Sequence, residues 1–122
     1  MTSRHWIAIG ALSGAVSVAL GAFGAHGLKA HFTPEQLATW NTSVHYQALH
    51  ALALIMFGLF AERWNARSCA GWCFVIGTLL FSGSLYALAL GAPRWCGAIT
   101  PFGGGAFIAG WLVFAWSAWR AR

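Results

Sequence analysis

Four long apolar stretches, separated by short polar segments, dominate the pattern of this chain. They run from Trp6 to Ala25, from Val44 to Ala61, from Cys69 to Leu90 and from about Pro101 to Trp119, and none contains an Asp, Glu, Lys or Arg. A helix needs roughly 20 apolar residues to cross a bilayer core about 30 Å thick. The pattern therefore predicts one all-α domain over residues 1–122, an integral membrane bundle of four transmembrane helices.

Basic residues mark one end of the predicted bundle. With four spans, the N-terminus, the loop 62–68 and the C-terminus share one side of the membrane. That side carries Arg4, Arg63, Arg67, Arg120 and Arg122, whereas the other side carries only Lys29 and Arg94. Because positively charged loops stay inside the cell, the pattern predicts that both termini are cytoplasmic and that the chain is a multi-pass protein of the plasma membrane.

Two helix starts can be predicted on the outer side. Thr33 offers a capping hydroxyl, Pro34 suits the first helical position, and Gln36 stands where a capping box needs it. The second helix should therefore begin near Pro34 and extend beyond the hydrocarbon core. Thr100 and Pro101 repeat the same signal for the fourth helix.

Composition supports a membrane environment. Of the 122 residues, 59% are hydrophobic and only 7% are charged, whereas soluble domains devote about a quarter of their residues to charge. The net charge of +5 is scattered over the span ends, so the basic stripe that a nucleic-acid site needs is absent. The expected partner is the lipid bilayer, together with a membrane-protein partner or further copies of the chain.

Small residues and tryptophans fit the same architecture. Gly10 and Gly14, like Gly83 and Ala87, are spaced by four residues, which favours close contact between helices. Trp111 lies near the middle of the fourth span. The other seven tryptophans fall near predicted span ends, which is typical of an interfacial aromatic belt: Trp6, Trp40, Trp64, Trp72, Trp95, Trp116 and Trp119.

Polar side chains within or beside the spans form the candidate site. The topology brings six of them towards the outer half of the bundle: His26, Gln47, His50, Ser82, Tyr86 and Thr100. One interpretation is interhelical hydrogen bonding alone, for example between His50 and Tyr86. The other is a binding site for a small lipid, a quinone-like molecule or an ion, because an ionisable side chain within a span is a functional candidate.

Catalytic and metal chemistry find little support. Glu35 and Glu62 are the only carboxylates, on opposite sides of the predicted membrane, and the chain has no aspartate. Carboxylate pairs and Ser-His-Asp triads are thereby excluded. Cys69 and Cys73 lie one helical turn apart, which we interpret as a helix contact because two thiols do not complete a metal site. We expect no enzymatic activity, no metal and no cofactor.

Four motifs follow one another along the chain: residues 20–27 (LGAFGAHG), Tyr46-Gln47 with His50, residues 80–86 (LFSGSLY), and residues 100–104 (TPFGG) ahead of 109–111 (AGW). In these motifs the chain resembles the YgdD-like family of small bacterial inner-membrane proteins. That family is related to a eukaryotic transmembrane protein and has no assigned function. The resemblance implies a four-helix protein of the bacterial inner membrane. Our leading hypothesis is a non-enzymatic protein that acts by helix packing, as a partner or stabilising subunit of a membrane complex.

Overall fold

Four long helices build the molecule. The computed structural model describes residues 1–122 and contains helices but no strand. Four of them are long and apolar enough to cross a membrane: Ser3–Leu28, Pro34–Trp64, Cys69–Ala89 and Arg94–Arg120, here termed the first to fourth spans. The prediction of an all-α bundle with four spans is confirmed. Both termini and the loop 65–68 meet at one end, termed the arginine end, where the Ser68 hydroxyl donates to the Met1 carbonyl oxygen.

The second span begins where the sequence predicts. The Thr33 hydroxyl oxygen accepts from the Gln36 backbone N–H at 3.1 Å, and the Gln36 side-chain oxygen accepts from the Thr33 N–H at 2.8 Å. This capping box satisfies two backbone groups that the first turn leaves free. The helix has 31 residues and ends at Trp64, and the capping residue Asn65 has a left-handed φ of 51°. At about 1.5 Å per residue, it is longer than the bilayer core, as predicted.

Thr100 does not cap the fourth span, and the prediction that it does is wrong. A short 3-10 helix, Arg94–Ala98, comes first, and Thr100 then lies within the α-helix Thr100–Arg120. Its hydroxyl bonds to the Ser84 hydroxyl of the third span at 2.5 Å. The side chain is therefore used between helices, and Pro101 alone retains the predicted place in the first turn.

The third span contains a turn of π-helix, which interrupts its regular hydrogen bonding. Cys69–Gly77 and Gly83–Ala89 are α-helical, and Thr78–Ser82 between them form the π turn. Gly103 of the fourth span lies directly against it, because a Cβ at this position would overlap the backbone N and Cα of Phe81. Only glycine permits so close an approach of two backbones. Gly103 therefore brings the fourth span into direct contact with the backbone of the third span at the π turn.

The second span is the centre of the molecule. Its most extensive packing is against the first span, it also packs against the third, and the fourth packs mainly against the third. The first span makes only weak contact with the third and fourth. The second span also buries the largest share of its own residues. A cleft is therefore left between the first and third spans, with the second span as its floor.

Small residues serve helix contacts at some of the predicted positions only. A Cβ on Gly10 would come within 2.7 Å of the Ala51 carbonyl oxygen of the second span. On Gly110, a Cβ would come within 2.8 Å of the Phe74 ring. Gly14, in contrast, has its nearest neighbour, the Ala51 Cβ, at 3.9 Å, and Gly83 has nothing within 4 Å. The prediction of tight packing is thus wrong for Gly83, which is exposed, whereas Gly14 is in ordinary van der Waals contact with the second span.

Two tryptophans are buried instead of joining the interfacial belt. Trp6 is 1% exposed and Trp40 is 4% exposed, so the belt prediction is wrong for both. The cause is a glycine opposite each indole ring: Gly71 leaves room for Trp6, and Gly24 for Trp40. The Trp40 indole N–H also donates to the Leu20 carbonyl oxygen at 2.9 Å. The remaining belt tryptophans are exposed: Trp64, Trp72, Trp95, Trp116 and Trp119.

Candidate functional site

His50 lies buried among aromatic rings in the middle of the second span. Its side chain is 2% exposed, and its ring stacks on Phe107 with 3.5 Å between the ring centroids. The Trp111 indole N–H donates to Nε2 at 3.0 Å, and Nδ1 lies 2.8 Å from the Tyr46 carbonyl oxygen. Since an indole only donates and a carbonyl only accepts, Nδ1 carries the proton and Nε2 accepts. Both ring nitrogens of His50 are therefore occupied.

Gln47 and Tyr86 join three spans. The Tyr86 hydroxyl donates to the Gln47 side-chain oxygen at 2.6 Å. The Gln47 amide nitrogen lies 3.3 Å from both the carbonyl and the hydroxyl oxygen of Ser13 in the first span. The partner of Tyr86 is thus Gln47 and not His50, because the Trp111 indole has taken the free nitrogen of the imidazole. A single chain of hydrogen bonds connects the first, second and third spans.

Ser43 and Ser82 form a reciprocal pair at the π turn. The Ser43 hydroxyl donates to the Ser82 carbonyl oxygen at 2.7 Å, and the Ser82 hydroxyl donates back to the Ser43 carbonyl oxygen at 3.0 Å. Both side chains are fully buried. Each serine thus donates to the backbone of the other span and accepts from its hydroxyl. Together with the Thr100–Ser84 bond, this pair ties the second, third and fourth spans.

The structure brings five of the six predicted site residues into one region. Gln47, His50, Ser82, Tyr86 and Thr100 belong to the hydrogen-bonded groups just described, termed the polar cluster together with their partners Ser13, Ser43, Ser84 and Trp111. His26 lies apart, in the π turn Gly24–Leu28 that ends the first span, with an exposed side chain. Its place in the predicted site was inferred from topology, which fixes depth in the membrane but not the direction of a side chain.

Some residues of the cluster were missed by the sequence predictions. Trp111 carried a usable signal, because an indole N–H in the middle of a span needs an acceptor there. Ser13 carried no such signal, because nothing in its spacing within the first span points to Gln47. No side-chain nitrogen or oxygen buried in the structure lacks a hydrogen-bond partner. No three His, Cys, Asp or Glu residues lie together in a geometry that could hold a metal ion.

The cleft between the first and third spans gives the cluster an opening towards lipid. It encloses about 290 Å³, with mostly apolar walls. Gln47 lies at its floor, and Ser13 and Thr78 add the only other polar side chains. Since Gln47 is only 6% exposed, a molecule in the cleft would meet the edge of the cluster rather than enter it.

Comparison with known proteins finds relatives along the whole chain. Residues 20–104 match the family model described as a protein of unknown function, DUF423. The UPF0382 membrane protein SH2409 of Staphylococcus haemolyticus is 44% identical over 96% of this chain and 97% of its own length. The Bacillus subtilis UPF0382 membrane protein YwdK is 41% identical, over 90% and 92% respectively. The Escherichia coli UPF0382 inner membrane protein YgdD is 39% identical over 100% of this chain and 95% of its own. No solved structure matches the chain.

Proposed function

The chain belongs to the DUF423 family of membrane proteins of unknown function, and we propose that it acts in the membrane as a non-enzymatic partner or stabilising subunit of a membrane complex. The observation that carries this proposal is the saturation of the polar cluster. Every buried side-chain nitrogen and oxygen already has a partner within the chain, and the bonds of the cluster connect all four spans. Hydrogen bonds of this kind stabilise helix association, at about 0.6 kcal/mol each on average.

The surface best suited to a partner helix is the outward side of the first and second spans. A shallow groove of about 290 Å³ runs along their seam, lined largely by small residues that include Ala11, Gly14 and Ala48. A glycine inside a helix costs about 1 kcal/mol relative to alanine, and Gly14 gains no close contact within the chain. A transmembrane helix of another protein, or of a second copy, would pack closely against this groove.

Native mass spectrometry of the protein extracted gently from its membrane tests this proposal. We expect the wild-type chain to be extracted in a complex, and Gly14→Leu to lose the partner because the new side chain fills the groove. The matched control is Ala15→Leu, which adds similar volume at an exposed neighbouring position that lines neither groove. A wild-type chain found only as a monomer, or equal loss of the partner in both variants, would contradict the proposal.

The rival function is binding of a small lipid or quinone-like molecule, and the cleft above Gln47 favours it. An apolar ligand would occupy the walls, and an oxygen of its head would replace Ser13 as an acceptor for the Gln47 amide at the floor. The variants His50→Ala and Tyr86→Phe separate the two functions. If the cluster binds a ligand, the co-purified molecule is lost while the melting temperature is kept. If the cluster only joins helices, the melting temperature falls and no ligand is lost.

A further inference from the structure

A second groove, at the arginine end, has a different chemical character. It lies where the second span ends, the third begins and the fourth ends, and it encloses about 490 Å³. Two arginines, Arg67 and Arg120, line it. Its walls are formed by the Phe60, Trp64, Val113 and Trp116 side chains. The groove therefore combines a cationic mouth with an aromatic and aliphatic wall, and we refer to it as the arginine groove.

The positive charge of the groove is not neutralised by a neighbouring carboxylate in its lining. Glu62 is the only carboxylate side chain on this side of the bundle, and it lines a separate recess with Thr2 and Arg4 at the N-terminus. The Arg120 guanidinium carbon lies 5.7 Å from the centroid of the Trp116 ring. This distance is that of a cation–π contact, and no carboxylate side chain lies in the groove lining to pair with the guanidinium N–H groups. Both arginines are exposed and available to an anion.

From this arrangement we infer that the arginine groove binds the headgroup of an anionic phospholipid. A guanidinium matches a phosphate with two parallel N–H donors, and two arginines at one mouth supply four or more. The wall formed by Phe60 and Val113 continues from the mouth along the second and fourth spans, where it offers an apolar path for an acyl chain. Trp64 and Trp116 lie at the level where the headgroup and the acyl chains meet, as interfacial tryptophans do.

The aliphatic wall is the reason for a lipid rather than a free anion. A soluble phosphate would use the arginines and leave the apolar wall bare, whereas a phospholipid uses both. The membrane also supplies the lipid at high local concentration, and anionic lipids attract basic side chains next to a span by about 1 kcal/mol each. Binding of this kind would stabilise the ends of three spans together.

The test uses the full chain in detergent and measures its melting temperature and its bound lipid by native mass spectrometry. The probes are palmitoyl-oleoyl phosphatidylglycerol, which is anionic, and palmitoyl-oleoyl phosphatidylcholine, which has no net charge. We expect the anionic lipid to bind and to raise the melting temperature, and the neutral lipid to do so at least tenfold less well. The double variant Arg67→Gln/Arg120→Gln should weaken binding of phosphatidylglycerol by about 30-fold.

The matched control is Arg4→Gln/Arg122→Gln, which removes the same charge from the same end without altering the groove lining. It should change the affinity by less than about threefold, the size of a long-range electrostatic effect screened by salt. Equal weakening by the two double variants would overturn the proposal, because it would reduce binding to general surface charge. Circular dichroism of each variant without lipid confirms that the helices are retained, so a loss of binding is not a loss of fold.

A third arm separates the lipid from a free anion. Inorganic phosphate is added to the wild-type chain at a concentration a hundred times that of the lipid. Failure of phosphate to displace phosphatidylglycerol supports the lipid site, since the acyl chain then contributes to affinity. Displacement by phosphate, or an equal rise in melting temperature with phosphate alone, would overturn it.

Discussion

The polar cluster and the arginine groove hold their polar groups in opposite ways. In the cluster, Gln47, His50 and Tyr86 bond to other side chains and to backbone carbonyls inside the bundle. In the groove, Arg67 and Arg120 face outward. The contrast follows from the solvent at each level. An unpaired polar group in hydrocarbon costs several kcal/mol, whereas the headgroup region offers water and phosphate. We therefore expect the cluster to serve the fold and the arginine groove to be open to a lipid headgroup.

The largest expected effect is at the contact between the third and fourth spans, beside the cluster. Gly103→Val would place a branched side chain on the Phe81 backbone, and overpacking against a rigid backbone should cost about 3 kcal/mol or more. Gly105→Val, two residues on, meets nothing within 4 Å and should change stability by less than about 1 kcal/mol. Unfolding in mixed detergent micelles measures both. Equal losses would show that the close approach is not what joins these spans.

Removal of the buried imidazole should have the next largest effect. His50→Ala leaves the Trp111 indole without its acceptor and leaves a hole beside Phe107, so we expect a loss of about 2 kcal/mol. His45→Ala, on the same helix but exposed, should be nearly neutral. The intrinsic tryptophan fluorescence of the chain during unfolding reports the transition. If both variants unfold alike, the imidazole is not a structural element of the cluster.

A smaller effect is expected from the link between Gln47 and Tyr86. Tyr86→Phe removes one hydrogen bond and no volume, which should cost about 1 kcal/mol within a membrane bundle. Tyr46→Phe removes the hydroxyl of a partly exposed ring and serves as the control. A double-mutant cycle with Gln47→Leu isolates the pair. Strict additivity of the two changes would contradict the bond.

The smallest effect on stability is expected in the arginine groove. Arg67→Gln/Arg120→Gln should change the free energy of unfolding in lipid-free detergent by less than about 0.5 kcal/mol, because exposed charges contribute little to a fold. Chemical denaturation without added lipid measures it. A loss as large as that of His50→Ala would mean that the groove, like the cluster, is part of the structural core.

The sequence predicted most accurately the features that depend on local patterns. The four spans follow from apolar length, and the start at Pro34 follows from a capping box whose partners are three residues apart. The residues gathered in the cluster were also largely predicted, because helical spacing and topology set their depth. Depth in the membrane is set by the position of a residue along its helix, so it can be predicted from the sequence.

The pairings within the cluster could not be predicted, because they depend on how each helix is rotated about its axis. His50 meets two residues of the fourth span that are one turn apart: Phe107 stacks on the imidazole, and Trp111 donates to it. The burial of Trp6 and Trp40 depends on glycines from other parts of the chain, Gly71 and Gly24. None of these contacts can be recognised from the spacing of residues within a single span.

The π turn at Thr78–Ser82 acts as an angular spacer within the third span. Each residue of a regular helix advances by about 100° around the axis, and a π turn accommodates one residue more than the α-helix would. Without the extra residue, everything after Ser82 would swing round by that angle. Ser84 would then leave Thr100, and Tyr86 would leave Gln47. The length of this span, counted residue by residue from Cys69, is therefore constrained as tightly as the identity of the side chains it aligns.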